Sequence, residues 1–254
     1  MVINPHHIFS ECLSSIDDLS YHTLSAIFRR DSYPLVELDI FHHINSWISS
    51  KKRSQPEQDT LLSHLRLCLI PPKEVFLHIA PTELFTSETI LDSLREQTLS
   101  DHVDLPHRGI RREGMELVES GVLSVATGEN GYALFTRNND HSSGVAAAEK
   151  VFCKHAIGDE RGITLRFTRP HIVNEIGFAL PSNSKESGEG YSSYRVSISI
   201  DGDSWKCVAN YERYHCHGYQ RIQLAQPRAV GMIRIVGTWC STSKVFSIEE
   251  ASVR

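Results

Sequence analysis

Apolar residues recur every three to four positions from Ile8 to about Gln97 and alternate in twos from Met115 onward, so the chain predicts helices followed by strands. In the first stretch, Leu19, Leu24, Ile27 and Phe28 share one side of a helix that Ser20 can cap. Asp31-Ser32-Tyr33-Pro34 ends it, because proline disfavours helix in the residue before it. Ile40, Phe41, Ile44, Trp47 and Ile48 then form a broad apolar stripe, and Phe41 and Trp47 are its expected core anchors. Lys51-Lys52-Arg53 at its end suits the helix dipole and reads as a solvated helix terminus. Leu61, Leu62 and Leu65 mark a third helix. Pro71-Pro72 opens a fourth carrying Val75, Phe76 and Ile79, and Ser87 is placed to cap a fifth carrying Ile90, Leu91 and Leu94. The expectation is an N-terminal antiparallel α-helical array over residues 1–100.

Residues 101–114 are polar, with Pro106 and Gly109, and read as a linker. Beyond them the period is two. Val122 to Val125 predicts a first strand and Asn130-Gly131 a turn; Asn138 to Asp140 and Ser142 to Gly144 read as polar surface loop. Ile163, Leu165 and Phe167 alternate with polar neighbours, and Ile176, Phe178 and Leu180 do so again after Pro170. Pro181 to Gly190 reads as another surface loop. Tyr194, Val196, Ile198 and Ile200 alternate with Arg195, Ser197 and Ser199. Asp201-Gly202 follows as a tight turn, and Trp205 and Val208 restart a strand, making a hairpin with Tyr194, Gly202 and Trp205 as structural anchors. Ile222 with Leu224, Met232 to Val236, and Phe246 with Ile248 complete an antiparallel β-sandwich over residues 115–254. The fold class is therefore α + β in two domains.

Composition changes this picture little. The chain has 254 residues, 40% hydrophobic and 22% charged, with a net charge of −5, which gives no basic footprint for nucleic acid. No stretch approaches the ~20 apolar residues of a membrane-spanning helix. The six cysteines show no paired short spacing and read as free thiols of an intracellular protein.

Chemistry is equally sparse. There is no Gly-x-Ser-x-Gly elbow, HExxH helix or phosphate-binding loop, so no catalytic residue or cofactor is expected. His215-Cys216-His217 is the one metal-like cluster, but neighbouring strand residues face opposite ways, and no metal is assigned to it. What remains is aromatic. Trp239 follows a strand among small polar residues, and Tyr191, Tyr214, Tyr219 and His215 lie near strand ends. These are the candidate ligand- or partner-binding residues. Trp239 either faces a partner or plugs the sandwich mouth.

Two resemblances bear on these readings. Leu24 through Arg30-Asp31-Ser32, then Glu37-x-x-Ile40-Phe41-x-x-Ile44-x-x-Trp47, resemble the BACK domain that follows BTB/POZ domains in cullin adaptors, as does Leu65 to Pro71. Tyr194-x-Val196-x-x-Ser199-x-Asp201-Gly202-x-x-Trp205-x-x-Val208, with Ile233 to Thr238 and Phe246-x-Ile248-x-Glu250, resembles the discoidin, or coagulation factor V/VIII type C, jelly roll. Together they resemble a BTB–BACK–discoidin family, with the BTB part missing here, as in a fragment or short isoform. The resemblance implies a spacer and substrate-binding part of a cullin 3 ubiquitin-ligase adaptor, monomeric alone and touching cullin 3 only through that missing part. The discoidin likeness also implies an alternative ligand, a carbohydrate or a phospholipid headgroup, held by loops at one end of the sandwich.

Overall fold

A computed structural model describes residues 19–33, 35–50, 53–111, 123–131, 153–181 and 190–254. It divides into two compact units, Met1–Asp101 and His102–Arg254. The expectations that fall on Cys12, Pro34, Lys51-Lys52, Val122 and the stretches 138–144 and 182–189 lie outside the described residues.

The first unit is helical. Helix α1 (Tyr21–Phe28) starts as expected, with the Ser20 side chain accepting a hydrogen bond from the Thr23 N–H. Helix α2 (Glu37–Ser50) buries Ile40, Phe41, Ile44 and Trp47 on one face. The Trp47 indole N–H donates to the Leu19 carbonyl at 3.0 Å, so the largest ring of this core leaves no polar atom stranded. Arg53 does more than solvate the helix end: its guanidinium lies 3.9 Å from the Trp47 ring centre and covers it. Helix α3 (Gln55–Leu62) carries Leu61 and Leu62, but Leu65 lies beyond its end. A short turn, Pro72–Glu74, runs into a π-helical turn, Val75–Ile79. That wider winding turns Phe76 out to solvent while Val75 and Ile79 stay buried, against the expectation of three core residues. Helix α4 (Ser87–Leu99) is capped by Thr86 rather than Ser87, and Leu91 is exposed.

The second unit is an antiparallel β-sandwich. Its strands are β1 (Leu123–Thr127), β2 (Cys153–Ala156), β3 (Ile163–Ala179), β4 (Ser192–Ser199), β5 (Lys206–Asn210), β6 (Tyr219–Cys240), β7 (Val245–Ile248) and β8 (Ala251–Val253). The large sheet runs β1-β3-β6-β4-β5 with β8 also on β3, and β2 pairs with β7 in a small sheet. Both sheets feed one core, in which Leu165, Phe178, Tyr194, Ile198 and Ile233 meet Cys153, Phe246 and Ile248. Gly237 is where the sheets come closest: a Cβ there would overlap the Phe246 ring.

One sequence reading, the linker, needs correction here, and it turns on Pro170, through which β3 runs unbroken. The proline sits in β3 at a register shift between Arg166 and His171, where the ladder needs no N–H from it. Its carbonyl instead accepts from the Ile110 N–H at 2.9 Å, and the Ile110 carbonyl accepts from Ile172 at 2.9 Å. Consequently residues 102–111 do not stand apart as a linker: Val103 is in the sandwich core, and Asp104 holds both Lys206 and Arg228. Those two cations hold the Asp104 carboxyl below its ordinary range, the hydrogen bond from Lys206 weighing most.

Candidate functional site

The central hairpin positions the outer face of the large sheet. Tyr194, Val196 and Ile198 of β4 are buried inward, leaving Ser193, Arg195 and Ser197 to face out. Gly202 takes φ 94°, the left-handed conformation expected of it. The connection is wider than a two-residue turn, running from Ile200 to Trp205. It is closed by the Ser199 hydroxyl, which accepts from the Gly202 N–H at 2.8 Å, and by Asp201, which accepts from Asp203 and Ser204. This capping explains why Ser199 is buried although it falls on the polar phase of the strand.

Trp205 is not a core residue. It lies half-buried on the outer face, its indole N–H donating to the Gly202 carbonyl at 2.7 Å. The Arg234 guanidinium of β6 sits 3.6 Å from its ring centre. Ser197 pairs with Arg234 on one side and Cys207 on the other, so the arginine reaches its aromatic partner across a serine.

The same device recurs at the other end of β4. Ser193 pairs with Trp239 of β6, and an antiparallel bridge joins Ser192 to Cys216, which sets His215 beside Ser193 and His217 beside Tyr191. His215 and Trp239 lean toward each other and stack at 4.7 Å and 21°, leaving Ser193 2% exposed. The Ser193 hydroxyl donates to the Tyr214 carbonyl at 2.8 Å, so the buried serine is satisfied. Tyr191 meets His217 edge-on at 5.5 Å and His215 at 6.2 Å. Tyr214, 62% exposed, packs on Tyr211 at 5.9 Å. Trp239 is neither fully free nor a plug: its ring is held by His215 and it stays 41% exposed. Such ring pairs contribute about 0.5–1.5 kcal/mol beyond area burial, enough to hold a surface in shape before anything binds.

Of the five candidates, Trp239, His215 and Tyr191 therefore come together, and Tyr214 joins them only through its main-chain carbonyl, which takes the Ser193 hydroxyl. Tyr219 does not. It opens β6 opposite Ala179, with its hydroxyl 2.6 Å from that of Ser252. In the sequence His217 reads only as part of the metal-like His215-Cys216-His217 run and not among the ring candidates, although its two-residue spacing from His215 is the available signal. Cys216 and Cys240 face away from the rings, both paired with Ser192. Burial raises the Cys216 thiol. Burial also works to raise Cys240, but hydrogen bonds from Thr242, Ser192 and Ser243 outweigh it and bring the thiol down to about 7. Among the described residues no group of three His, Cys, Asp or Glu converges as a metal site would, and the five described cysteines are free.

The fold thus defines a class: a helical unit followed in the chain by an antiparallel β-sandwich with a ring cluster on its outer face. No family model matches the chain. Its homologues include BTB/POZ domain-containing protein 9 of Homo sapiens, 30% identical over 237 residues that cover 91% of this chain and 36% of that protein. The Drosophila melanogaster protein of the same name is 26% identical over 238 residues, covering 92% and 31% respectively. The chain therefore spans about a third of the length of these curated relatives. Among solved structures, the chain is similar to CpGH89CBM32-6 produced by Clostridium perfringens, with a TM-score of 0.36, 14% identity and coverage of 52% of this chain and 90% of that one. The CBM32 of AlyQ in complex with 4,5-unsaturated mannuronic acid has a TM-score of 0.36, 14% identity and coverage of 52% and 92%. No helix of the described residues is long and apolar enough to cross a membrane.

Proposed function

We propose that this chain is a non-enzymatic interaction module, the spacer and substrate-binding part of an intracellular BTB–BACK adaptor for a cullin 3 ubiquitin ligase. In this reading the helical unit is the BACK-like spacer, and the sandwich presents the protein substrate with the rings of Trp239, His215, Tyr191 and His217. The observation that carries it is that cluster: aromatic groups locked by stacking, with a large indole still open to solvent. The similarity to BTB/POZ domain-containing protein 9 supports the adaptor context.

Affinity capture from cell extract tests it, with Trp239→Ala and His215→Ala run beside the unaltered chain. The expected result is a set of captured proteins lost from both variants, while stability falls by only about 0.5–1.5 kcal/mol, the worth of the lost ring stack. Retention of every captured protein by both variants would refute the surface. Cullin 3 contact is assigned to a BTB domain, so these residues alone are expected to stay monomeric and not to bind purified cullin 3; submicromolar binding would defeat that part. A second reading, a carbohydrate or phospholipid-headgroup module, draws on the open Trp239 indole. Glycan-array or liposome binding abolished by Trp239→Ala would favour it.

A further inference from the structure

Arg234 has no counter-ion among the described residues. Its Nε is shut off from solvent with no hydrogen-bond partner, and no carboxylate pairs with it among the described residues. That nitrogen is enclosed, so an incoming acceptor can reach only the terminal nitrogens, which no described group engages. Its charged neighbour is another arginine. Arg195, on the adjacent strand, is itself engaged by Glu160 and by Glu212 at 3.1 Å. Burial first, and then repulsion from Arg195, pull the Arg234 pKa below its ordinary value. The guanidinium is nevertheless fixed in place, flat on Trp205 at 3.6 Å. Ser197, paired directly with Arg234 on the same face, has a hydroxyl with no hydrogen bond among the described residues.

We infer that Arg234, Ser197 and Trp205 form an anion site on the outer sheet face, built to take a carboxylate from a partner polypeptide. The terminal nitrogens offer the planar fork that a carboxylate matches with two parallel hydrogen bonds, and Ser197 adds a third donor beside them. The stack on Trp205 sets the orientation of that fork in advance, which lowers the ordering cost of binding. A phosphate monoester fits less well. It carries nearly two negative charges, and Glu160 and Glu212 beyond Arg195 would repel the second. This site shares no residue with the Trp239 cluster and stands whether or not that cluster binds a substrate.

The test is a titration of the full chain at constant ionic strength, following the Arg234 side-chain and Trp205 indole N–H signals by nitrogen-15 NMR. The probes are sodium acetate, N-acetylglutamate amide (a side-chain carboxylate), acetyl-glycylglycine (a chain terminus) and inorganic phosphate. Saturable shifts of both signals with acetate and at least one of the two peptide probes are expected, and which peptide probe binds tighter names the source. Arg234→Gln removes the Trp205 shift. Ser197→Ala, which leaves the stack intact, weakens acetate binding about two- to tenfold, as loss of one hydrogen bond predicts. A linear drift equal to that with sodium chloride would overturn the proposal and leave Arg234 as a purely structural lid on Trp205. Phosphate binding as tight as acetate would overturn the carboxylate assignment.

Discussion

The two units use tryptophan and arginine in opposite senses. In the helical unit Trp47 is fully buried and Arg53 closes over it, so the cation serves the ring. In the sandwich Trp205 lies on the outer face and Arg234 rests on it, so the ring serves the cation. The difference follows from geometry. A helix stripe gathers its apolar residues to one side, and a ring in that stripe has nowhere to go but inward. A strand sends alternate residues to opposite faces, so a ring on the polar phase stays outside and needs a neighbour across the sheet. The serines of β4 give those neighbours room to meet.

The sharpest way to break the contrast is Trp47→Ala. Removing a fully buried indole should cost about 3–5 kcal/mol, and chemical denaturation should show loss of the helical unit at much lower denaturant. If the two units are energetically separate, the sandwich transition should stay where it was. Gly237→Ala probes the other core: forcing a methyl group against Phe246 should destabilise the sandwich by about 1–3 kcal/mol and leave the helical transition alone. The gentlest test is pH. His155 is buried, and its Nε2 accepts from the Gly237 N–H at 2.9 Å, so the ring is held neutral and burial lowers its pKa. Below about 6.5 the unfolded chain takes up a proton that the folded ring resists, so sandwich stability should fall as pH drops from there toward the lowered value. Denaturation midpoints measured across that range should decline, and His155→Gln should remove that part of the slope.

Much of the fold was legible because periodicity is a backbone property. The inward set Tyr194, Val196 and Ile198, and the stripe Ile40, Phe41, Ile44 and Trp47, could be read directly and are buried as read. What was not legible depended on tertiary register. Residues 101–114 read as a linker because nothing local shows that Ile110 bridges to His171, far downstream in the sequence. Strands β2 and β8 are short and weakly patterned, and only their pairing with β7 and β3 makes them strands. The site divides similarly. Trp239 and His215 were visible as exposed types near strand ends, but their contact depends on Ser193 lying between them, and Tyr219 carried the same local signal without the neighbours.

The attachment of Asp104 to Lys206 and Arg228, together with Val103 and Ile110, has a practical corollary for anyone wishing to produce the second half separately. A piece cut at position 115, where the alternation becomes visible, would leave two basic side chains without their shared carboxylate and bare the flank of β3 beside Pro170. Starting it ahead of His102 keeps that seam closed.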